Sequence, residues 1–109
     1  MNNPTLSLVI PALNESKIIM NHVREIQIWM VDNMPDISYE IIIINDGSTD
    51  GMGKVLEIES AKNFNLRIIC HSVNMGRGRA VRTGMENSQS DYLVALPTCH
   101  MVPIILKRC

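Results

Sequence analysis

Paired cysteines, long apolar runs and a large excess of one charge are all missing from this chain, and each absence removes a class of protein. The 109 residues hold three cysteines, Cys70, Cys99 and Cys109. Their odd number, wide spacing and lack of a CxxC pair exclude a disulfide framework and point to reduced thiols in a cytoplasmic protein. No stretch approaches the roughly 18 apolar residues that span a bilayer. Met1-Asn2-Asn3-Pro4 lacks the basic segment of a secretory leader, so neither a leader nor a transmembrane segment is expected. A formal charge of -1 is far from the basic balance of a nucleic-acid binder, so no nucleic-acid partner is expected. Aromatics are few: Trp29, Tyr39, Phe64 and Tyr92.

What remains is a regular alternation. Leu6-Ser7-Leu8-Val9-Ile10 reads as a strand stopped by Pro11. Asn14 can cap a following helix, in which Ile19, Val23, Ile26 and Met30 repeat at three and four residues. Pro35 helps to end it. Glu40-Ile41-Ile42-Ile43-Ile44 is apolar without alternation, the mark of a strand covered on both faces. A second helix starts near Met52, and Leu66 to Cys70 forms a third strand. Gly76-Arg77-Gly78 opens a third helix, and Tyr92 to Leu96 reads as a fourth strand. Four alternations predict an α/β fold, doubly wound, with a mainly parallel four-stranded sheet and helices on both faces.

In such sheets ligands meet the loops at the carboxyl ends of the strands. The first loop, Pro11-Ala12-Leu13-Asn14-Glu15, offers helix-start amides, although Asn14 and Glu15 also suit plain capping. The second, Asn45-Asp46-Gly47-Ser48-Thr49-Asp50-Gly51, places a carboxylate beside a glycine that permits close backbone approach, with Ser48, Thr49 or Asp50 free to cap. The third, Asn74 to Gly84, joins Gly76 and Gly78 to Arg77, Arg79 and Arg82. Residues 64 to 84 hold four arginines and no acid, which suggests an anion site or a solvated face. It matches neither a Walker loop nor GxGxxG.

Taken together, PALNE, NDGSTDG and NMGRGRAVRTG resemble the N-terminal half of the family 2 glycosyltransferases, nucleotide-sugar enzymes of GT-A fold that include dolichol-phosphate mannose synthase-like proteins. The resemblance covers residues 5 to 96. It implies a UDP- or GDP-linked sugar as donor and transfer of that sugar to an acceptor. Carried over position by position, it implies a nucleotide-binding role for Pro11, Ala12, Asn14, Glu15, Asp46, Gly47, Asn74, Gly76, Arg77 and Gly78, with Asp46 on the base. Leu13 replaces the customary Tyr, Asn45 stands where a first Asp is common, and Arg77 replaces the usual Lys.

The resemblance fails at the fourth strand end. There the family carries Asp-X-Asp, which holds Mg²⁺ or Mn²⁺ against the diphosphate. Here Pro97 and Cys99 occupy the acid positions, so no metal ligand and no catalytic residue is assigned. Zinc held by Cys70, His71, Cys99 and His100 is disfavoured, because neighbours on a strand point to opposite faces. Residues 1 to 96 are therefore expected to form the nucleotide-sugar-binding half of a GT-A domain. Residues 97 to 109 read as a non-family tail, truncated or frameshifted. On this reading the chain alone does not complete transfer; the alternative is a non-catalytic protein that binds a nucleotide or nucleotide sugar. A receiver-like module would need acids at the first strand end, which Pro11-Ala12-Leu13 does not supply. An exposed sheet edge would allow a homodimer.

Overall fold

The computed structural model describes residues 4 to 63 and 65 to 96; Phe64, the amino-terminal three residues and the segment 97 to 109, with Pro97, Cys99 and His100, lie outside them. Strand β1 (Leu6–Ala12), helix α1 (Ile19–Asn33), strand β2 (Tyr39–Asp46), helix α2 (Met52–Ser60), strand β3 (Leu66–His71), helix α3 (Arg77–Asn87) and strand β4 (Tyr92–Ala95) follow in chain order. The four strands form one sheet in the order β3-β2-β1-β4, and every adjacent pair is parallel.

The unbroken isoleucine run explains the layers. Successive side chains on a strand alternate between faces. Ile41 and Ile43 join Leu6, Leu8, Ile10 and the apolar stripes of α1 and α2 on one face. Ile42 and Ile44 meet Val9 and Ala80 on the other, under α3. All four isoleucines are fully buried, and each contributes roughly 1.5–3 kcal/mol on leaving water. In α1 the buried apolar residues Ile19, Val23, Ile26 and Met30 are those the spacing predicts, and His22 is buried beside them. On the opposite face, α3 approaches through Ala80 and Gly84; a Cβ at Gly84 would lie 2.4 Å from Val9 Cγ1.

Pro11 does not stop β1, which runs on to Ala12. The last β1–β4 pair is Val9 with Ala95, and Leu96 N donates to the Val9 carbonyl at 2.9 Å. By alternation Pro11 faces the same side as Val9, beyond that last pair, where its missing N–H costs no described ladder bond.

At the amino ends of the strands, Glu40 is buried. It accepts hydrogen bonds from Ser7 Oγ, from Arg67 at 2.8 Å and from the Gln89 amide at 3.2 Å. Ser88 and Ser90 in turn donate to Ser7 Oγ. This network ties β1, β2, β3 and the α3–β4 turn together at the end of the sheet remote from the three loops. Burial pushes the Glu40 carboxyl up, but the bonds from Ser7, Arg67 and Gln89 outweigh it and hold the group below the usual carboxylate range.

Candidate functional site

The loops after β1, β2 and β3 converge at the carboxyl end of the sheet, and the side chains of Asn14, Ser48, Asp50 and Asp46 bind them together. Asn14 is the first link. It sits at φ 53°, a left-handed conformation that asparagine tolerates better than most residues. Its amide donates to Ser48 Oγ at 2.9 Å, and its own Oδ1 accepts the Thr49 amide at 2.8 Å. Asp50 makes the next link, accepting the Ser16 amide at 2.9 Å and the Met52 amide at 3.1 Å. Those bonds, led by the one from Ser16, lower the Asp50 pKa.

Asn14 therefore does not cap α1. The position before that helix is Ile18, with no side-chain cap, and a turn closed by the Ile18 and Ile19 amides on the Glu15 carbonyl intervenes. The cross-loop bond wins because the Asn14 carboxamide is turned toward Thr49, five residues before the helix begins. Helix α2 likewise starts after Gly51 without a formal side-chain cap, although Asp50 meets its first amide.

Asp46 joins the second loop to the third. It is the last residue of β2 and is 5% exposed. Oδ1 accepts the Met75 amide at 2.9 Å and faces His71 Nδ1 at 2.8 Å. Oδ2 accepts the Gly76 amide at 2.9 Å. Desolvation raises the Asp46 pKa, but the bonds from His71, Met75 and Gly76 more than offset it, so the group stays ionised below the ordinary carboxylate range. Beside it, Gly47 has φ 78° and its α-carbon faces the third loop; a Cβ there would lie 2.4 Å from Asn74 N and 2.5 Å from Val73 C.

Within the third loop, Asn74 Oδ1 also accepts the Gly76 amide at 2.9 Å. Gly76 precedes α3 at φ 93°, and Arg77, Gly78 and Arg79 are exposed on its first turn. Among the described residues neither Arg77 nor Arg79 has a carboxylate partner, whereas Arg82 lies 3.7 Å from Glu86. The arrangement can present backbone amides, two unpaired guanidinium groups and a helix start to an anion, on a frame that does not depend on that anion for its shape.

Of the residues singled out from sequence, Asn14, Asp46, Gly47, Asn74 and Gly76 are joined in this frame. Pro11 and Ala12 are buried in β1, while Glu15 on the first loop and Arg77 and Gly78 at the start of α3 make no side-chain bonds to it. Sequence reasoning missed His71 and Thr83. Only the position of His71 at a strand end hinted at it, and a threonine inside a helix gives no signal. Cys70 is exposed while the His71 ring is committed to Asp46 and Thr83.

Among the described residues no group of three or more His, Cys, Asp or Glu side chains could hold a metal ion. Pro97 and Cys99, where the resemblance places the metal ligands, lie outside the described residues. Among the described residues no helix is long and apolar enough to cross a membrane.

Comparison with known proteins agrees with this fold. The family described as Glycosyl transferase family 2 matches residues 7–96. A dolichyl-phosphate beta-glucosyltransferase of Trichomonas vaginalis is 31% identical over 91 residues, covering 81% of this chain and 27% of the relative. One from Dictyostelium discoideum is 34% identical over 97 residues, covering 84% and 30%. The chain thus spans under a third of the length of these relatives. Among solved structures, the mannosyltransferase PcManGT of Pyrobaculum calidifontis, in complex with GDP-Man and Mn²⁺, superposes with a TM-score of 0.65 at 19% identity, over 81% of this chain and 25% of that one. S. aureus TarS 1-349 in complex with UDP gives 0.68 at 18% identity, over 87% and 27%; both likenesses concern the fold alone.

Proposed function

Since the chain belongs to glycosyl transferase family 2, we propose that residues 1 to 96 form the nucleotide-sugar-binding half of an enzyme that transfers a sugar from a nucleotide diphospho-sugar to an acceptor. The observation that carries this reading is the three-loop frame around Asp46. The sequence stretches that resemble the family's donor site are the ones that bind one another, and they leave Arg77, Arg79 and the α3 start exposed. Pro11, Ala12, Asn14 and Glu15 would line the nucleoside, with Asp46 on the base and Gly47 allowing the close backbone approach beside it. Asn74, Gly76, Arg77 and Gly78 would meet the base and the phosphates. Asp46 Oδ2 accepts one described bond, and a carboxylate oxygen has room for a second.

In transfer, an acceptor oxygen attacks the anomeric carbon while the nucleoside diphosphate leaves. The contribution of these residues is to hold the nucleotide and to place positive charge near the leaving diphosphate. Pro97 and Cys99 supply no hard oxygen ligands, and no step is assigned to a metal here. That substitution favours the second reading, a nucleotide- or nucleotide-sugar-binding protein that does not itself catalyse transfer. The two named relatives act on dolichyl phosphate, which makes a polyisoprenyl phosphate the first acceptor class to test in any longer protein carrying these residues. A cytoplasmic setting and pairing of two copies through the β4 edge, where Tyr92 is exposed, complete the proposal.

Calorimetric titration with UDP and with GDP, each with and without Mn²⁺, tests it. The expected outcome is binding of one nucleotide, indifferent to Mn²⁺ and lost in Asp46→Ala. Absence of binding to both would refute the donor-site reading for this chain.

A further inference from the structure

We propose that His71 is the positioning residue of this site, fixing the loop Asn74–Gly78 through Asp46 on one side and Thr83 on the other. Its purpose rests on the nucleotide-binding reading above; its geometry does not. His71 ends β3, and its side chain is 10% exposed. Nδ1 lies 2.8 Å from Asp46 Oδ1, and Nε2 lies 2.9 Å from Thr83 Oγ1. The same Asp46 carboxylate receives the Met75 and Gly76 amides. The ring therefore stands between the group that shapes the loop and the second turn of the helix into which the loop runs.

Proton bookkeeping shows why an imidazole suits this place. An ionised carboxylate only accepts, so Nδ1 carries a proton toward Asp46. Thr83 has one hydroxyl proton and two destinations for it: Nε2, or the Arg79 carbonyl at 3.0 Å. A neutral ring accepts that proton at Nε2. A charged ring donates from Nε2 and leaves the hydroxyl proton to Arg79. In both states every polar atom of the Asp46–His71–Thr83 chain has a partner, so the clamp keeps its geometry. Truncating the ring frees Asp46 to rotate away from the amides and unties α3 from β3.

The test combines amide exchange followed by NMR, ring ¹⁵N spectra and nucleotide titration on the native chain and on His71→Ala, His71→Asn, Thr83→Val and Thr83→Ser. The native ring is expected to keep its Nδ1 proton at every pH at which the chain is folded, the tautomer that Asp46 imposes. His71→Ala should speed exchange of the Met75 and Gly76 amides by about tenfold and weaken nucleotide binding by a similar factor. His71→Asn, which retains an N–H toward Asp46, should recover part of both. Thr83→Ser should match the native chain and Thr83→Val fall between. Core amides of β1 and β2 keep native protection if the effect is local, and the Thr83 pair carries the test if His71→Ala fails to fold. Native exchange at Met75 and Gly76 in His71→Ala, or a native ring without the Nδ1 proton, would overturn the proposal. So would faster exchange with unchanged nucleotide affinity. A native chain that binds neither nucleotide refutes the function proposed above instead, and the exchange rates then decide alone whether His71 holds the loop.

Discussion

Asn14 and Thr49, thirty-five residues apart, are joined by a 2.8 Å hydrogen bond from the Thr49 amide to the Asn14 carboxamide oxygen. The bond makes the first two loops one unit. Replacing Asn14 separates two contributions. Asn14→Gly keeps the positive φ and removes the carboxamide, and should cost about 1 kcal/mol. Asn14→Ala adds left-handed strain and should cost about 2–3 kcal/mol in all. Urea unfolding would show a lower midpoint with an unchanged slope; equal costs for both variants would mean that the left-handed backbone adds no strain, and a native midpoint in Asn14→Gly would mean that the carboxamide does not make the link.

Gly47 and Gly51 both have positive φ, but only Gly47 faces backbone. Gly51→Ala should cost about 1 kcal/mol, from backbone strain alone. Gly47→Ala should cost about 3 kcal/mol or more, because the third loop must move as well. It should also abolish nucleotide binding in whatever fraction still folds. Comparable melting temperatures for the two variants would contradict the close packing of Gly47 on Val73 and Asn74.

Glu40 predicts an acid-sensitive end of the sheet. Its folded pKa is depressed, so its contribution to stability is fully present above the unfolded value of about 4 and is lost as pH falls through the folded value. Asp46 and the exposed Asp50 shift the same way. Glu40→Gln should destabilise the chain by about 2 kcal/mol at pH 7, leaving Arg67 without its charged partner. The gap between variant and native chain should close as pH falls through the depressed folded value of Glu40. A gap that stays constant with pH would show that the charge of Glu40 does not stabilise the fold.

Gly78 lies inside α3, and a Cβ there would meet nothing within 4 Å. Gly78→Ala should raise stability by about 0.5–1 kcal/mol through helix propensity. The open space is where a phosphate would approach, so the same variant should bind nucleotide more weakly. Thermal unfolding and calorimetry on one sample would check both, and a gain in stability with full affinity would remove Gly78 from the site.

Much of this was readable without coordinates. The isoleucine run announced a strand buried on both faces, and the spacing of Ile19, Val23, Ile26 and Met30 named the inner face of α1. Both follow from local periodicity, a property of the chain itself. The loops are also where the sequence places the candidate site, because ligands of a parallel sheet meet the carboxyl ends of its strands. What could not be read was how those side chains are spent. Asn14 and Asp46 look in sequence like a cap and a ligand contact, yet the fold uses Asn14 to hold Thr49 and Asp46 to hold Met75 and Gly76.

The sequence by itself determined the alternation of strands and helices, the buried faces and the family motifs, since each depends on residues within a few positions of one another. The tertiary structure alone decided that His71 and Thr83 belong to the site and that the loops form one frame. Those facts rest on hydrogen bonds between residues 12 to 35 positions apart, which exist only once the sheet has set the strands in register.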